Sequence, residues 1–372
     1  WKNYTIDPTP LSNPLQDNKY NNVTDLKNNL FGSFSATLKP FKWLSFSSTN
    51  TLTLTNVNTN DYLDSRTYNG NHSRNEMSNG VLKVDDERSW TFLTSNILRL
   101  QHSFGEHNLS GLVGQEWYER HTRSSHIEMY DQMIAGERNV GGFSKQGDKT
   151  NPAVIPTGAE RESGSFSVFS EVNYNYAGKY MASASFRTDG STNFGKDNRY
   201  GTFYSFSGSW LVSREAFMAR QDVVSNLKLR MSYGTSGKEA GMDYLNYTLY
   251  STSNTTFDYY RNHPVYQSAY GATINQLGND QLSWETAYNL NIGVDVALLN
   301  NRISLSADWY KRRNSDLIMS TTLPAANGVG RQYQNVGEME NRGVELVLNT
   351  HTVKGEEFNW FTTLTFSYNN NE

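Results

Sequence analysis

One segment of the chain has the residue types and spacing of a phosphate-binding loop. Gly190, Gly195 and Lys196 match the pattern G-x-x-x-x-G-K, in which backbone N–H groups and a lysine surround a phosphate. That chemistry also needs a serine or threonine after the lysine and then a helix, but here Asp197 follows and the next residues alternate like a strand. Because a carboxylate in that place would repel phosphate, we predict a glycine-rich hairpin loop and assign no cofactor.

A second group of residues has side chains suited to metal binding or acid–base catalysis. It comprises Glu116, Glu119, His121, His126 and Glu128. Imidazole and carboxylate groups bind transition metals, and they also transfer protons in catalysis. The two histidines are on opposite faces of any strand and match no zinc signature. We interpret the group as a solvated strand end and assign no catalytic or metal-binding residue, although an enzyme stays open as an alternative.

A long polar segment, 237–284, is rich in tyrosine. Aromatic faces with Asn and Asp nearby suit sugars and peptides, whereas the simpler interpretation is a small core that the loop builds for itself. Three tyrosines are taken as candidate substrate-binding residues: Tyr259, Tyr260 and Tyr266.

Composition excludes several classes of protein. The chain has 372 residues, no cysteine, 13% aromatic residues and a formal net charge of −4. The lack of cysteine excludes disulfide scaffolds and thiolate zinc sites, and the net charge argues against nucleic acid as a partner. Disordered chains are poor in aromatic residues, and no window is apolar enough for a membrane-spanning helix. A large β protein with much polar surface remains.

Alternation of apolar and polar residues dominates the chain, as where Leu290, Ile292 and Val294 alternate with Asn289 and Asn291. About twelve such runs predict strands, most of them longer than the ~5–6 residues usual in globular sheets. They are long enough to cross a bilayer, which takes ~9–11 tilted residues. The predicted strands are 26–39, 43–55, 89–102, 107–120, 163–177, 179–190, 199–213, 226–236, 285–299, 302–314, 335–350 and 358–370.

Short and long connections alternate along the chain. The short or compact ones are 40–42, 103–106, 178, 214–225, 300–301 and 351–357, and the longer ones are 56–88, 121–162, 187–198, 237–284 and 315–334. A soluble sandwich has no reason to keep its long loops on one side, whereas outer-membrane barrels have short periplasmic turns and long extracellular loops. The predicted fold class is therefore all-β, an antiparallel transmembrane β-barrel with its apolar face toward lipid and its polar face toward the lumen.

Aromatic residues near the predicted strand ends fit the belts that anchor such barrels at the membrane surface, although they would equally fit the core of a soluble sheet. They are Phe41, Trp43, Phe104, Trp117, Tyr118, Tyr176, Tyr180, Trp210 and Trp360. A basic triplet, Lys311, Arg312 and Arg313, lies at one strand end, where it would contact anionic lipopolysaccharide or remain solvated.

Several sequence blocks resemble the SusC/RagA type of TonB-linked outer-membrane transporter. The most specific is S-F-R-T-D-G-S at 185–191, followed by F-G-K at 194–196 and N-R-Y-G at 198–201. Further blocks follow in the family order: L-G-N at 277–279, L-S-W-E-T at 282–286, D-W-Y at 308–310, N-V-G at 335–337 and N-R-G-V-E-L at 341–346. The resemblance covers the chain from residue 163 onward, and residues 1–160 carry weaker signals.

The resemblance implies a barrel of about 22 strands with a plug in its lumen. Residues 1–372 would form one partial outer-membrane barrel domain, with the plug and the TonB-binding segment outside this chain. The implied function is TonB-dependent import of oligosaccharides or peptides across the outer membrane, together with a SusD-like surface lipoprotein as a lid. The wall itself would contact outer-membrane lipid and lipopolysaccharide.

The matched blocks are architectural, so no ligand or catalytic residue is carried over from the family. Arg187, Asp189 and Arg199 are expected to form a charge network that pins a loop. A surface enzyme or an adhesin, each built on a barrel without transport activity, remains the alternative function.

Overall fold

The computed structural model describes residues 13–72, 79–146, 157–251, 273–324, 326 and 328–372. Most of them belong to long antiparallel strands. The strands are β1 (Asn22–Phe41), β2 (Leu44–Leu63), β3 (Val81–Phe104), β4 (His107–Gln132), β5 (Phe143–Gln146), β6 (Thr157–Tyr176), β7 (Tyr180–Ser191), β8 (Tyr200–Leu211), β9 (Val224–Lys238), β10 (Leu249–Ser251), β11 (Thr273–Gln276), β12 (Glu285–Leu298), β13 (Ile303–Thr322), β14 (Arg331–Lys354) and β15 (Asn359–Asn371). Two short helices, α1 (Pro14–Tyr20) and α2 (Tyr68–His72), lie at the long-loop end.

All the predicted strands are present, and each pairs with its neighbour in the chain. The sheet order is β1-β2-β3-β4-β6-β7-β8-β9-β12-β13-β14-β15. β5 pairs only with β4, and β10 pairs with β11 in a separate small sheet. This up-and-down order, with long strands throughout, is the wall of a β-barrel and confirms the predicted fold class.

No helix in the described part of the chain is long and apolar enough to cross a membrane.

The predicted strand ends are wrong on the long-loop side, where several strands continue well beyond the alternating runs. β2 and β3 stay paired as far as Leu63 and Val81, and β3 and β4 as far as Val81 and Tyr130. Outside the apolar belt water bathes both faces, so side-chain alternation fades while the backbone ladder continues. The connecting loops are shorter than predicted for the same reason.

The alternation of short and long connections is confirmed. Tight turns at 42–43, 105–106, 177–179, 299–302 and 355–358 mark one end of the sheet, where a compact segment at 212–223 also lies. The opposite end carries the longer connections at 64–80, 133–156, 192–199, 239–284 and 323–330. In the 299–302 turn, Leu299, Asn300 and Asn301 all have positive φ, a conformation that asparagine tolerates better than most residues.

The two faces of the sheet differ in chemistry as predicted. Phe34, Leu52 and Val168 are 69%, 44% and 42% exposed and lie on the same face, which we call the membrane face. The opposite face, the lumenal face, is polar and is joined across strands by hydroxyl pairs such as Ser183–Ser207 (2.5 Å) and Ser185–Ser205 (2.6 Å). A soluble sandwich would bury these apolar side chains, so their exposure supports the barrel.

A row of ring contacts follows the short-turn end of the membrane face. The rings of Phe104, His107, Tyr176, Tyr180 and Trp210 lie 4.7–6.3 Å from their neighbours in that order. The row crosses from β3 to β8, and Phe41 stacks on Trp43 at 5.3 Å in the first turn. The belt prediction is thus confirmed at this end, but it is wrong for Tyr118, which alternation directs toward the lumen, opposite Trp117.

Two adjacent β14 residues test the assignment of the faces. Leu346→Arg is expected to destabilise the full-length barrel by about 2–4 kcal/mol, because the charge would face hydrocarbon. Val347→Arg, the matched control, is expected to have little effect, because it points into the lumen beside Glu345. Urea unfolding in lipid vesicles measures both variants. Equal destabilisation would contradict the assignment.

Candidate functional site

Arg187 is the centre of a charge cluster on the lumenal face of β4, β6 and β7. Its Nε donates to Asp189 Oδ1 at 2.6 Å, and its Nη2 donates to Ser167 Oγ at 3.0 Å. Glu116 Oε2 lies 3.4 Å from Nη2, and the guanidinium lies over the Phe169 ring at 5.2 Å. One cation therefore joins three neighbouring strands, which confirms the expected Arg187–Asp189 contact.

The side chain of Arg199 does not join this cluster, so that part of the expected network is wrong. The strand register pairs Arg187 with Phe203, which places Arg199 farther out at the end of the β7–β8 loop. There its backbone carbonyl accepts hydrogen bonds from Trp284 Nε1 (3.0 Å) and Ser191 N (3.2 Å). The residue thus fixes the loop through its main chain.

The β7–β8 loop, which contains the phosphate-loop-like pattern, is a hairpin loop as predicted, and it packs in a hydrophobic core above the lumen. Phe194 is fully buried, and its ring lies 5.2 Å from that of Trp284. We call this cluster the outer loop core; its buried members are Phe194, Ala240, Leu245 and Leu282, packed against Trp284, Ile318 and Tyr333. Two connections, 192–199 and 239–284, meet in it with the outer parts of β13 and β14.

Polar residues from the sequence blocks add hydrogen bonds around the outer loop core. Asn335 Oδ1 accepts from Ser283 N at 3.0 Å, and its Nδ2 donates to the carbonyls of Ser283 (3.0 Å) and Asp316 (2.7 Å). Asn279 Nδ2 donates to Tyr333 O at 2.8 Å. The blocks therefore serve to fix the outer loops to one another.

Gly195 is required by close backbone packing. A Cβ at this position would lie 2.3 Å from the carbonyl oxygen of Asp280, a separation that real side chains do not adopt. Asn198 Nδ2 donates to the same carbonyl at 3.2 Å. The contact between the β7–β8 loop and the segment before β12 therefore depends on the missing side chain.

A second, separate assembly covers the outer ends of β1 to β4. Tyr62, Leu82 and Phe143 form its buried core, and the fully buried Asp64 carboxylate lies beside it. Asp64 accepts hydrogen bonds from Tyr62 Oη (2.7 Å), from Arg66 Nε (2.8 Å) and from Arg66 Nη2 (2.7 Å). Burial alone would raise the pKa of Asp64, but the hydrogen bonds from Arg66 and Tyr62 outweigh it and lower the pKa to about 2.

A further charge cluster on the lumenal face surrounds Arg230. Its Nε and Nη2 donate to Asp295 at 2.8 and 3.1 Å, and Nη2 also donates to Asp308 at 3.0 Å and Ser306 at 3.3 Å. Gly293 lies beneath the guanidinium, where a Cβ would come within 2.5 Å of Asp308. Beside it, a lumenal groove of about 520 Å³ is lined by serine, asparagine and lysine side chains.

The candidate substrate-binding residues Tyr259, Tyr260 and Tyr266 lie outside the described residues, so their role stays a prediction. Of the same tyrosine-rich segment, Tyr244 and Tyr247 are described. Their ring centroids are 6.3 Å apart, and the Tyr244 hydroxyl accepts from Glu162 N at 2.6 Å. These two residues therefore pack against the outer end of β6.

The two histidines of the acid–imidazole group contact different acidic residues. His121 contacts Glu160 and Glu162 at 3.2 and 3.1 Å, and His126 contacts Asp85 at 2.6 Å. Within the described ranges, no three acidic or histidine side chains are placed to hold a metal ion.

The basic triplet is divided between the two faces and is paired with acids. Lys311 contacts Glu340 at 2.9 Å, and Arg313 forms an ion pair with Glu338. Arg312 points to the opposite face, where its Nε donates to Asn314 Oδ1 at 3.3 Å. The triplet lies within β13 and not at its end, and its contact with lipopolysaccharide stays a prediction.

Comparison with known proteins agrees with this geometry. The family model described as "TonB dependent receptor-like, beta-barrel" matches residues 1–372. The TonB-dependent receptor P26 of Formosa agariphila is 31% identical over 367 residues, which cover 98% of this chain and 36% of that protein. The TonB-dependent receptor SusC of Bacteroides thetaiotaomicron is 33% identical over 208 residues, covering 55% of this chain and 20% of that protein.

A solved structure gives the same result. The RagAB peptide transporter matches with a TM-score of 0.80 and 26% identity, over 95% of this chain and 37% of the matched chain. The chain thus spans between a fifth and two fifths of the length of these relatives.

Gly195→Val is expected to separate the β7–β8 loop from Asp280 and to cost about 1–3 kcal/mol of local stability, because the packed backbone cannot make room. Protease cleavage within residues 190–200 of the folded barrel measures the effect. Lys196→Ala, an exposed neighbour, is the control and should cleave like the wild type. Equal cleavage of both variants would contradict the close contact.

The Asp64 assembly is expected to be stable above pH ~4 and to loosen as the pH falls toward 2. A carboxylate with a depressed pKa stabilises the folded form above its unfolded value, and this contribution is lost on protonation. Hydrogen exchange of residues 64–71 across this range measures the change. Asp64→Asn should exchange fast at neutral pH and show no such pH dependence, whereas Asp61→Asn, the control, should behave like the wild type.

Proposed function

The chain belongs to the TonB dependent receptor-like β-barrel family, and from this membership we propose that the whole protein imports a nutrient across the bacterial outer membrane. The chain itself is a segment of the wall of a SusC/RagA-type outer-membrane barrel. Its relatives are TonB-dependent receptors rather than enzymes. In the proposed mechanism the protein binds its cargo and changes conformation, and it breaks no covalent bond.

The observation that carries the proposal is the packing at the outer end of the wall. The described parts of the 192–199 and 239–284 connections are held there by the outer loop core and by the hydrogen bonds of Asn335. Ordered loops above a lumen give a defined surface on which a separate lid can close. We therefore propose that a SusD-like lipoprotein seats on the outer loop core.

The lumenal face supports a polar cargo. Its groove and its hydroxyl pairs offer donors and acceptors, and of the two cations that line the groove, Lys228 and Arg230, the second is paired with Asp295 and Asp308. Such a surface suits oligosaccharides and also peptides, and the RagAB relative is a peptide transporter by name. The plug and the TonB-binding segment are proposed to come from the parts of the protein outside this chain.

Uptake is expected to need the inner-membrane energy source. Cells that produce the full-length protein should take up fluorescent oligosaccharides or peptides, and should lose this uptake when TonB is deleted or the proton gradient is collapsed. The cargo class that is taken up identifies the substrate. Uptake of either class that persists without TonB would contradict the mechanism, and uptake of neither would favour an adhesin.

Lid binding is expected to depend on the outer loop core. Phe194→Ala removes a fully buried ring and should loosen the loops by about 3–5 kcal/mol. Pull-down of the tagged full-length protein should then recover less SusD-like lipoprotein than the wild type, while Lys196→Ala recovers the same amount. Undiminished recovery by a correctly inserted Phe194→Ala barrel would place the lid elsewhere.

A further inference from the structure

One edge of the outer part of β6 carries no neighbouring strand. β6 pairs with β4 along its whole length, but its pairing with β7 stops at Ser165. β7 ends at Ser191, where the 192–199 connection begins. We call the side of residues 157–163 that faces away from β4 the free edge. Among the described residues, no strand pairs with it.

Hydrogen bonds at the base of the free edge show which main-chain groups it presents. Gly164 N donates to Thr192 Oγ1 at 2.9 Å, and Gly164 O accepts from Thr192 N at 3.0 Å. Glu162 N points the same way, since it donates to the Tyr244 hydroxyl at 2.6 Å. Because main-chain groups alternate in direction along a strand, the N–H and C=O groups of Glu160 also point toward the free edge.

The main-chain groups of the free edge are open to water. Residues 157–162 are all exposed. Apart from the contact of Glu162 N with Tyr244, no hydrogen bond within the described part of the chain reaches the free edge. The carbonyl of Glu162 and both main-chain groups of Glu160 and Gly158 therefore remain available. They recur every second residue, about 7 Å apart, which is the spacing that a partner strand requires.

The free edge lies beyond the lipid, at the outer end of the wall. Phe166 is the outermost large apolar residue of β6, so residues 157–163 extend past the apolar part of the membrane face. Tyr244, which contacts the free edge, is followed by Leu245, a buried member of the outer loop core. A molecule that arrives from outside the cell can therefore reach the free edge before it enters the lumen.

A pocket of about 480 Å³ opens at the inner end of the free edge. Its walls include the exposed rings of Trp117, Tyr200 and Tyr247, and the carboxylates of Glu119 and Glu162 also line it. Apolar walls with a few polar groups, in this range of volume, are typical of ligand pockets. A chain that paired with the free edge would place one of its side chains over this pocket.

We propose that an extended peptide binds to the free edge as an additional strand, with an aromatic side chain in the pocket. The inference rests on the proposed import function, and it assigns peptides rather than oligosaccharides as the cargo. A peptide backbone repeats N–H and C=O groups at the spacing that the free edge offers, as in other cases of strand addition. Sugar hydroxyls have no such repeat.

Charge along the free edge favours basic residues in the peptide. The side chains of Glu160 and Glu162 are 63% and 74% exposed, and both contact the ring of His121, so one imidazole serves two carboxylates. Opposite charges on neighbouring strands stabilise the pairing. Lysine or arginine at alternate positions of the peptide would lie beside these carboxylates.

Binding of synthetic peptides to the purified full-length protein tests the inference. The probe is a fluorescent eight-residue peptide in which lysine and valine alternate around a central phenylalanine, and fluorescence anisotropy measures its affinity. The same peptide, N-methylated at four consecutive amides, has lost main-chain donors on both of its edges. It is expected to bind at least ten-fold more weakly, and a linear oligosaccharide of seven glucose units is expected not to displace the probe.

Glu160→Pro removes one N–H group from the free edge and places a ring there. Proline is tolerated on an edge strand where its nitrogen faces away from the sheet, so the barrel should keep its folded migration on unheated gels. The affinity for the probe should fall at least ten-fold. Glu160→Ala, which keeps the N–H group, is the control and should change the affinity less than three-fold.

Four results would overturn the inference: no binding of the probe, equal affinity for the methylated and unmethylated peptides, equal affinity in the proline and alanine variants, or displacement of the probe by the oligosaccharide. TonB-dependent uptake of the probe by cells is measured separately. Uptake that persists in Glu160→Pro with unchanged affinity would remove the free edge but keep import, whereas edge-dependent binding without uptake would do the reverse. If the proline variant fails to insert, the comparison of the two peptides decides.

Discussion

The structure depends on one constraint, which is that backbone N–H and C=O groups within a membrane must bond to each other. The chain meets it by pairing each long strand with the next in an unbroken antiparallel ladder. Because the ladder already satisfies the backbone, the sheet needs no hydrophobic core beneath it and can place its apolar side chains outward. Within the described residues, hydrophobic cores occur only at the long-loop end, where connections and the outer ends of strands pack together.

The constraint also explains where charge is tolerated. Arg187 and Arg230 both lie on the lumenal face, and each is paired with two carboxylates. Except for Arg187–Asp189, which lies within β7, these ion pairs connect different strands, so they hold the strands together as well as neutralising the charge. Gly293 makes room for the contact between Arg230 and Asp308, since a Cβ at this position would overlap with both side chains.

The strands were predictable from sequence because a belt of lipid imposes period-two alternation on residues such as Leu290 and Ile292. The outer strand extensions were not, since water on both sides removes the pattern that would reveal them. The resemblance blocks located Phe194, Trp284 and Asn335 but not their contacts, which are brought together from distant parts of the chain. The Tyr62–Asp64–Arg66 network carried no signal, because one buried carboxylate in a polar loop looks like any solvated one.

The paired extensions of β2, β3 and β4 have a consequence for how this protein can evolve. Main-chain pairing holds these extensions together, as where Tyr62 faces Leu82 and Asp85 faces His126. Any residue except proline can take part in such pairing. The exposed side chains of these extensions, unlike the buried Tyr62 and Leu82, can consequently vary without loss of the ladder. The outer loop core has no such freedom, since its fit depends on a buried ring and a missing Cβ. The exposed surface of β2, β3 and β4 can therefore change in sequence while the outer loop core stays constant.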